Sequence, residues 1–367
     1  MTMPDNLRIG YVPYSKDLSH PGDRRRLASW AKYNDVKLVL DNPLSADLLI
    51  LSNNANFNYW IKKAKVPVIL DLVDGYLGEE PTFLKDFFRN LMRAFKGKSN
   101  FGSITYTRAL KKACRAANAI VVASPEQSFH IKPFNKNIFT ILDDHSELCF
   151  SPIDINLHKK INCEHHERHL FWEGFGYTIK HFGEISSELD VFLRDNNIGL
   201  YILSTSEFPR WGGYIGKVNT IKLLKKYFPN SFENLHFQSW SIENLISCAR
   251  ESNLGIIPIN IEDKFANLKS ENKALSMWTL GLPIVASSTP AYKRLADNSN
   301  ILITCDENQK FLEVLHEKLF NQKILDSEKF KITSYLDKYH NSRILSESWA
   351  NVINQSHKLY SQQNIHK

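Results

Sequence analysis

The stretch Asn267–Tyr292, NLKSENKALSMWTLGLPIVASSTPAY, decides how the rest of the chain is interpreted. It follows the apolar run Leu254–Ile259, which is typical of a buried strand. Helical periodicity over Ala274–Leu280 ends at a glycine and a proline, and Ile284–Ala286 predicts the next strand. The predicted unit is therefore strand, loop, helix and strand, with Ser270 as the expected N-cap of the helix.

Two lysines flank the predicted start of this helix. A helix N-terminus presents free backbone N–H groups and the positive end of the helix dipole, which favour an anion. Lys269 and Lys273 add full positive charges on the same turn, so the pattern predicts a bound phosphate or diphosphate. An ordinary connection with two solvated lysines is the alternative that the local pattern leaves open.

The same stretch resembles the donor-binding segment of GT-B glycosyltransferases, in particular the retaining "group 1" family. The resemblance rests on Lys-Ser-x-Asn-Lys at 269–273, on Gly-Leu-Pro beginning eight residues after the second lysine, and on Thr-Pro-Ala-Tyr at 289–292. In that family this helix start holds the diphosphate of a nucleotide-sugar. The resemblance therefore implies a donor site that contains Lys269, Ser270, Glu271, Asn272 and Lys273.

One departure from the family pattern concerns a pair of glutamates that touch the sugar and the ribose. The corresponding positions in this chain are Leu268 and Ser276. The identity of the donor, and the choice between a retaining and an inverting transfer, are left open by this difference.

The whole chain has the composition of a soluble globular protein. Its 367 residues, 43% hydrophobic and 23% charged, suffice for two or three domains. No apolar run approaches the roughly 20 residues that cross a bilayer, and the N-terminus has no signal-peptide hydrophobic region, so a cytoplasmic protein is expected. Five scattered cysteines without a CxxC spacing predict reduced thiols. The net charge of +7 favours contact with phosphates or an anionic membrane over a dedicated nucleic-acid site.

The loop after the first predicted strand is the expected acceptor side. Loops beyond the carboxyl ends of strands are where α/β sheets bind ligands. Gly22 permits a close approach of the backbone to a ligand, and Asp23 can cap a helix over Arg24–Lys32. Arg24 and Arg25 either bind a phosphate or carboxylate or cover the helix surface. The loop resembles the acceptor-side loop of the family, which predicts acceptor binding by Gly22, Asp23, Arg24 and Arg25.

Asp74 and His145 are the catalytic candidates. Asp74 lies beside Gly75 after the predicted strand Val66–Leu70, and His145 follows the predicted strand Ile138–Leu142. A carboxylate in this position can act as a general base or bind a sugar hydroxyl, and a histidine can orient a hydroxyl or transfer a proton. Capping of the next element is the structural alternative for Asp74.

The segment Phe83–Phe95 predicts an amphipathic helix whose apolar stripe is flanked by basic residues, among them Arg89 and Arg93. A basic, aromatic amphipathic helix is typical of a membrane surface. A helix that turns its apolar stripe to the core is the alternative. Many GT-B enzymes with lipid-linked acceptors lie on the membrane through their first domain, so an anionic membrane surface is an expected partner.

The second half of the chain supplies the remaining donor candidates. Its first loop contains Gly174 and Gly176, which would let the donor phosphates approach the backbone, although the pattern is not GxGxxG. The resemblance implies that Arg210, and less strongly Lys217, neutralises the diphosphate leaving group. Trp240 lies where the family binds the base, and its ring can stack on the base or belong to the core.

The predicted fold is α/β of the GT-B type, with two facing Rossmann-like domains and a C-terminal helix returning to the first. We expect an acceptor-side domain over 1–155, a donor domain over 165–333, and a crossover helix and tail over 334–367. A polar linker is predicted over Ser151–Arg168, and one long helix over Ser334–Gln355.

The predicted function is transfer of a hexosyl or related group from a nucleotide-sugar to a glycan or lipid-linked acceptor. The family context indicates bacterial surface polysaccharide, such as capsule or lipopolysaccharide, made without a metal or other cofactor and without nucleic acid as a partner. The expected location is the cytoplasm, with a peripheral position on the inner face of the cell membrane as a further possibility.

Two other functions fit the same pattern. The fold also hosts sugar-nucleotide epimerases and phosphosugar transferases. A non-catalytic scaffold subunit that binds a nucleotide-sugar is the second alternative, and the absence of the family's glutamate pair favours it.

Overall fold

The computed structural model describes residues 7–99, 102–149, 168–209, 216–305 and 308–365. These residues form two compact units. The first consists of the described residues within Met1–Asp144, Asn267–Ser270 and Tyr339–Lys367, and the second of those within His145–Ala266 and Glu271–Lys338. Arg210 and, apart from its last residue, the predicted linker lie outside the described residues.

Each unit contains a six-stranded parallel sheet, and the second unit has an additional two-stranded pair. The strands of the first sheet are β1 (Ile9–Val12), β2 (Leu38–Val39), β3 (Leu48–Ser52), β4 (Val68–Leu72), β5 (Ala119–Val122) and β6 (Ile138–Thr140). The second unit has β7 (His169–Glu173), β8 (Gly199–Ser204), β9 (Glu207–Pro209), β10 (Lys217–Asn219), β11 (Leu235–Ser239), β12 (Leu254–Ile257), β13 (Ile284–Ser287) and β14 (Thr304–Cys305).

The helices connect these strands and cover the sheets. Those of the first half of the chain are α1 (Pro21–Arg24), α2 (Leu27–Tyr33), α3 (Phe57–Lys63), α4 (Phe83–Phe95), α5 (Tyr106–Ala116) and α6 (Pro125–Ile131). The later ones are α7 (Ser186–Asp195), α8 (Thr220–Tyr227), α9 (Ile242–Glu251), α10 (Asn272–Thr279), α11 (Pro290–Ser299), α12 (Asn308–Phe320), α13 (Gln322–Tyr339) and α14 (Ser342–Ile365).

The order of strands differs between the two sheets. The first runs β2-β1-β3-β4-β5-β6 and the second β11-β8-β7-β12-β13-β14, with every neighbouring pair parallel. Counted along the chain, the second order is 3-2-1-4-5-6, that of a Rossmann fold. This strand order reverses between β7 and β12: β8 and β11 lie on one side of β7, and β12, β13 and β14 lie on the other. The remaining pair, β9 and β10, is a separate antiparallel hairpin.

The first sheet is buried on both faces. Successive residues of a strand point to opposite faces, so neighbouring residues of its central strands pack in different cores. Leu48 and Ile50 pack in one core, and Leu49 and Leu51 pack in the other. The first of these cores also receives Leu345, Trp349, Val352 and Ile353 from α14. The predicted return of a C-terminal helix to the first domain is therefore confirmed.

The long helix predicted over Ser334–Gln355 is wrong, because α13 and α14 are separated at His340 and Asn341. Asp144 contacts the first residue of α14. Its carboxylate accepts a hydrogen bond from the Ser342 hydroxyl at 3.3 Å and another from the Ser29 hydroxyl at 2.6 Å. The junction is thereby fixed to the end of the first sheet.

Two predicted helix starts also need correction. Helix α10 begins at Asn272 with Glu271 at its N-cap position and no side-chain cap, so Ser270 is not the cap. At the first loop, the cap of α1 is His20, whose Nδ1 accepts the Gly22 N–H at 3.0 Å. Asp23 lies inside that first turn because its carboxylate turns back onto the preceding loop.

Candidate functional site

The second sheet has its point of strand reversal between β7 and β12. In sheets of this order, ligands bind beyond the carboxyl ends of the strands at that point. The segment after β7 is the glycine loop Gly174–Gly176, and the segment after β12 leads into α10. The topology therefore places the two segments with the strongest predicted donor residues next to each other, after the neighbouring strands β7 and β12.

Lys273 connects these two segments. Its Nζ donates a hydrogen bond to the Glu173 carbonyl oxygen at 2.8 Å and lies 5.1 Å from the centroid of the Trp172 ring. A Cβ atom on Gly174 would lie 2.8 Å from the same Nζ, closer than side chains pack. A glycine is therefore required at 174 for the ammonium group to occupy this position.

Gly176 is required by packing of a different kind. A Cβ there would lie 2.5 Å from the Phe208 ring and 2.8 Å from the Thr220 hydroxyl oxygen. The Gly176 N–H donates to the Thr205 hydroxyl oxygen at 3.3 Å. Neighbouring side chains thus leave no room for a Cβ atom at either glycine, which explains why both positions are glycine. Approach of the donor phosphates to this loop stays a prediction.

Trp240 is held by the residue before the glycine loop. Its indole N–H donates to the buried Glu173 carboxylate at 3.2 Å, and its backbone N–H donates to the Ser204 carbonyl at 3.0 Å. The Ser204 hydroxyl in turn donates to the Gly174 carbonyl at 2.7 Å. The ends of β7, β8 and β11 are therefore joined by hydrogen bonds, and the exposed indole ring of Trp240 lies at this edge.

A second buried carboxylate lies at the start of α10. Glu271 is paired with Arg294 of α11 at 2.7 Å. Burial raises the pKa of Tyr292, and the carboxylates of Glu271 and Glu173 raise it further. The arginine offsets the negative charge at the positive end of α10, where an anion is otherwise favoured. Sequence reasoning missed Glu173 and Arg294.

The first loop of the first unit is organised by Asp23. Its carboxylate accepts hydrogen bonds from the Tyr11 hydroxyl at 2.6 Å, the Tyr14 N–H at 2.8 Å and the Ser15 N–H at 2.9 Å. A Cβ on Gly22 would lie 2.7 Å from the Tyr14 ring. These two predicted acceptor residues therefore shape the loop itself, and the acceptor role of the loop stays a prediction.

The three arginines that follow have different environments. Arg24 is half-buried, Arg25 is buried, and Arg26 is almost fully buried between α1 and α2. Arg26 lies 2.7 Å from Asp71, near the end of β4, and 3.1 Å from Asp143, which follows β6. Burial alone would lower the pKa of its guanidinium, but the two carboxylates more than offset this and raise the pKa. Sequence reasoning missed this ion pair.

The two catalytic candidates lie in different units, Asp74 in the first and His145 in the second. Asp74 is half-buried in the loop after β4. Burial raises the pKa of Tyr14, and Asp71 and then Asp74 raise it further, so Asp74 is within electrostatic reach of that phenol. His145 is buried and precedes a short 3-10 turn. Their catalytic roles stay hypotheses.

Comparison with known proteins bears on the fold. No protein-family model matches the sequence, and no curated protein is similar to it in sequence. Solved structures are similar. HepE from Anabaena in complex with UDP has a TM-score of 0.60 and 11% identity, covering 95% of this chain and 100% of HepE. WaaG, a glycosyltransferase involved in lipopolysaccharide biosynthesis, has a TM-score of 0.55 and 13% identity, covering 94% of this chain and 98% of WaaG.

TarM is also similar, with a TM-score of 0.55 and 12% identity over 84% of this chain and 54% of TarM, so this chain spans about half the length of TarM. The similarity to HepE and WaaG extends over 95% and 94% of this chain and so includes both parallel sheets described above. The chain has the GT-B fold.

The GT-B donor set predicted from the sequence is only partly brought together. Lys273 meets the loop of Gly174, and Trp240 is tied to the same loop. Lys269 and Ser270 belong to the first unit, whereas Glu271, Asn272 and Lys273 belong to the second. Lys217 is 70% exposed on the β9–β10 hairpin and pairs with Glu207 at 3.1 Å.

The segment Asn267–Ser270 is anchored in the first GT-B unit by Leu268. Its carbonyl oxygen accepts hydrogen bonds from the Ser124 hydroxyl at 3.1 Å and the Gln127 side-chain amide at 3.2 Å. A Cβ on Gly75 would lie 2.6 Å from the Leu268 Cβ. Leu268 stands at one of the two positions where the resemblance expects glutamate. Its side chain is thus packed within the first unit.

Helix α4 of the first unit turns its polar side inward. Asp86 and Asn90 are buried, with Asp86 accepting the Thr107 N–H at 3.0 Å and Asn90 donating to the Ser103 carbonyl at 2.6 Å. Arg89 pairs with Glu79 at 2.7 Å. The outer side is apolar: Phe83, Leu84, Phe88 and Phe95 are 65%, 66%, 55% and 75% exposed. A core-facing apolar stripe is therefore wrong for this helix.

Two further findings concern metal ions and membranes. Among the described residues, no group of three or more His, Cys, Asp or Glu side chains is arranged to hold a metal ion. In that same part of the chain, no helix combines the length and the apolar character that crossing a membrane requires.

Proposed function

We propose that this chain is a glycosyltransferase that moves a sugar from a nucleotide-sugar to a glycan or lipid-linked acceptor, in the synthesis of a bacterial surface polysaccharide such as capsule or lipopolysaccharide. The observation that carries the proposal is the position of Lys273, whose ammonium group is fixed against the glycine loop at the reversal point of the second sheet. The structures of HepE and of an alpha-glucosyltransferase with a similar fold are complexes with UDP. WaaG is involved in lipopolysaccharide biosynthesis.

The chemistry of such a transfer depends on the charge that develops on the departing diphosphate. Preorganised cations and helix N-termini stabilise that charge without having to reorganise. Lys273 and the first N–H groups of α10 provide both, and Arg294 offsets the neighbouring Glu271. Lys269, Ser270, Asn272, Lys217 and Arg210 are further proposed donor contacts, and Asp74 and His145 are the proposed groups for proton transfer or hydroxyl binding.

The proposal is tested by nucleotide binding and by turnover. We expect calorimetric titration with UDP, GDP, CMP and dTDP to detect selective binding of one of them. We then expect the corresponding radiolabelled nucleotide-sugar to lose its sugar only when an acceptor is present. Absence of binding to any nucleotide would refute the proposal.

A non-catalytic scaffold that binds a nucleotide-sugar is the second candidate. Leu268 and Ser276 favour it, because both are buried at the positions where the resemblance expects glutamates. Nucleotide binding without any transfer to a panel of glycan and lipid-linked acceptors is the result this candidate predicts. An epimerase would instead convert the sugar of the donor with no acceptor present.

We further propose that the reaction takes place at an anionic membrane surface on which α4 lies. The exposed phenylalanines of α4 support this, because a helix with an apolar outer side binds in the interface of a bilayer. We expect Phe88→Ser with Phe95→Ser to reduce co-sedimentation with vesicles that contain phosphatidylglycerol. Phe330→Ser on α13 is the control, since that side chain is 75% exposed as well. Equal binding by all three proteins would contradict the membrane position.

A further inference from the structure

A row of four cations runs along α5 beside α4. Arg108, Lys111, Lys112 and Arg115 have the spacing i, i+3, i+4 and i+7, which places them on one side of the helix. Like charges at this spacing repel one another and destabilise a helix. Nevertheless, within the described part of the chain none of the four forms an ion pair with a carboxylate.

The cations of this row differ in how they are held. The Lys111 ammonium and the Arg115 guanidinium lie 5.5 Å and 4.8 Å from the centroid of the Phe134 ring. Arg108 and Lys112 are exposed. Lys111 and Arg115 therefore lie against an aromatic ring. Arg108 and Lys112 are accessible to a ligand at the surface.

The row forms one wall of a groove of about 890 Å³. The lining also includes the apolar side chains of Leu77, Phe83 and Ile104. Two carboxylates also line the groove, Glu80 and Asp86. Asp86 is buried and accepts the Thr107 N–H at the start of α5, so its charge is used within the unit. The lining of the groove thus combines an excess of positive charge with apolar side chains.

The groove is continuous with the exposed side of α4. Phe83 lines the groove and is also the first of the four exposed apolar residues of that helix. Ile104, which also lines the groove, is exposed as well. A ligand that fits both features has an anionic head for the row on α5 and an apolar part that continues along α4.

We propose that the groove between α4 and α5 binds the phosphate of an anionic membrane phospholipid, with Arg108 and Lys112 as its principal cationic contacts. This inference rests on the membrane position proposed above and names the part of the lipid that is recognised. Charge complementarity favours an anionic lipid over a zwitterionic one. The adjoining surface belongs to an amphipathic helix with an apolar outer side, which favours a lipid because such helices bind in the interface of a bilayer.

The experiment measures partitioning of the full chain onto phosphatidylcholine vesicles with and without phosphatidylglycerol. A basic residue at an anionic bilayer contributes about 1 kcal/mol, a factor of about five. Arg108→Gln combined with Lys112→Gln should therefore lower the partition coefficient about 30-fold on the anionic vesicles and leave it unchanged on the neutral ones. The control is Lys222→Gln with Lys226→Gln, an exposed pair with the same spacing on α8, for which we expect less than about a twofold change.

The possible outcomes separate the proposals. Equal losses for both double variants would overturn the groove, since net charge alone would then explain binding. If binding needs Phe88 and Phe95 but not Arg108 and Lys112, the groove is again wrong and the membrane position stands. Tighter binding of single-stranded oligo-dT than of anionic vesicles, lost in the Arg108 and Lys112 variant, would also overturn it. Nucleotide titration without vesicles tests the proposed sugar transfer independently.

Discussion

The guanidinium of Arg26 joins the ends of two strands of the first sheet. It pairs with Asp71 and Asp143, and it donates a further hydrogen bond to the Ile141 carbonyl at 2.7 Å. Removal of the cation would leave two buried carboxylates without their partner. We therefore expect Arg26→Met to lower the apparent free energy of unfolding by about 3–5 kcal/mol in a urea titration.

The control for this prediction is Arg8→Met. Arg8 also pairs with an aspartate, Asp47, but its side chain is 59% exposed, so its loss should cost at most about 1 kcal/mol. Similar small losses for the two variants would show that the buried pair does not hold the strand ends together.

Gly174 is the residue on which the position of Lys273 depends. Gly174→Ala would place a Cβ 2.6 Å from the Thr178 hydroxyl oxygen, 2.8 Å from the Lys273 Nζ and 2.9 Å from the buried Trp172 ring. Because the lysine has the longest and most flexible side chain of the three, we expect it to be displaced and nucleotide affinity to fall about tenfold, which corresponds to about 1.4 kcal/mol. The measurement is calorimetric titration with the nucleotide that the wild type binds.

Gly183→Ala is the matched control, because the nearest atoms to a Cβ there are 3.7 Å away on the Tyr227 ring. Its affinity should equal that of the wild type. Thermal unfolding of both variants separates a local effect from unfolding. Unchanged affinity in a folded Gly174→Ala protein would contradict the proposed role of the loop.

At the scale of single residues, the sequence predicted what is locally encoded. Lys273 and Gly174 follow from a motif and a glycine loop, and the structure brings them together. Arg26 could not be distinguished from Arg24 and Arg25, because its burial depends on carboxylates about 45 and 117 positions along the chain. Glu173 was overlooked for the same reason, since its partner Trp240 comes from another strand end.

At the scale of elements, the junction between α13 and α14 should respond to pH. His340 is buried there, and burial lowers its pKa from 6.5 to about 4 although Asp144 acts to raise it. The unfolded chain therefore binds a proton that the folded chain does not between these two values. This residue should destabilise the fold progressively as pH falls from 6.5 towards 4, by up to about 3 kcal/mol.

The measurement is the free energy of unfolding across that pH range for the wild type and for His340→Gln. Glutamine carries no titrating group, so the variant should lose less stability on acidification than the wild type. Parallel pH profiles for the two proteins would show that His340 is not protonated on unfolding.

The limits of α4 were predicted from the sequence, but its orientation was not. A helix with an apolar stripe also has a polar stripe, and periodicity alone does not tell which one faces the protein. Here the inner surface offers the Tyr76 and Tyr106 rings, on which Arg89 and Arg93 lie at 5.0 Å and 4.7 Å. These partners turn the polar side inward, and the groove beside α5 follows from that orientation.

At the scale of the whole molecule, the alternation of strands and helices was enough to predict an α/β protein with two halves. The strand orders were not predictable in the same way, because each depends on which distant strands pair. The sequence also did not show fully which residues belong to which unit. Asn267–Ser270 lies inside the second half of the sequence but belongs to the first unit, where Leu268 is buried against Gly75.

The net charge of +7 is a property of the whole molecule. A positive chain attracts phosphates and anionic surfaces in general, so weak binding of nucleotides or vesicles is not by itself informative. Lys222→Gln with Lys226→Gln removes the same charge at other exposed positions. Only a loss that is confined to the named site supports a specific role.

The central claim is that the reversal point of the second sheet binds a nucleotide diphosphate through Lys273. Calorimetric titration of Lys273→Ala, beside wild type and Lys329→Ala, tests it most directly, since Lys329 is an exposed lysine of α13. Loss of one charge-assisted contact should weaken binding about 10- to 100-fold, or about 1.5–3 kcal/mol, in the first variant and leave the second at the wild-type value. Equal affinities for all three proteins, or equal losses in both variants, would contradict the claim.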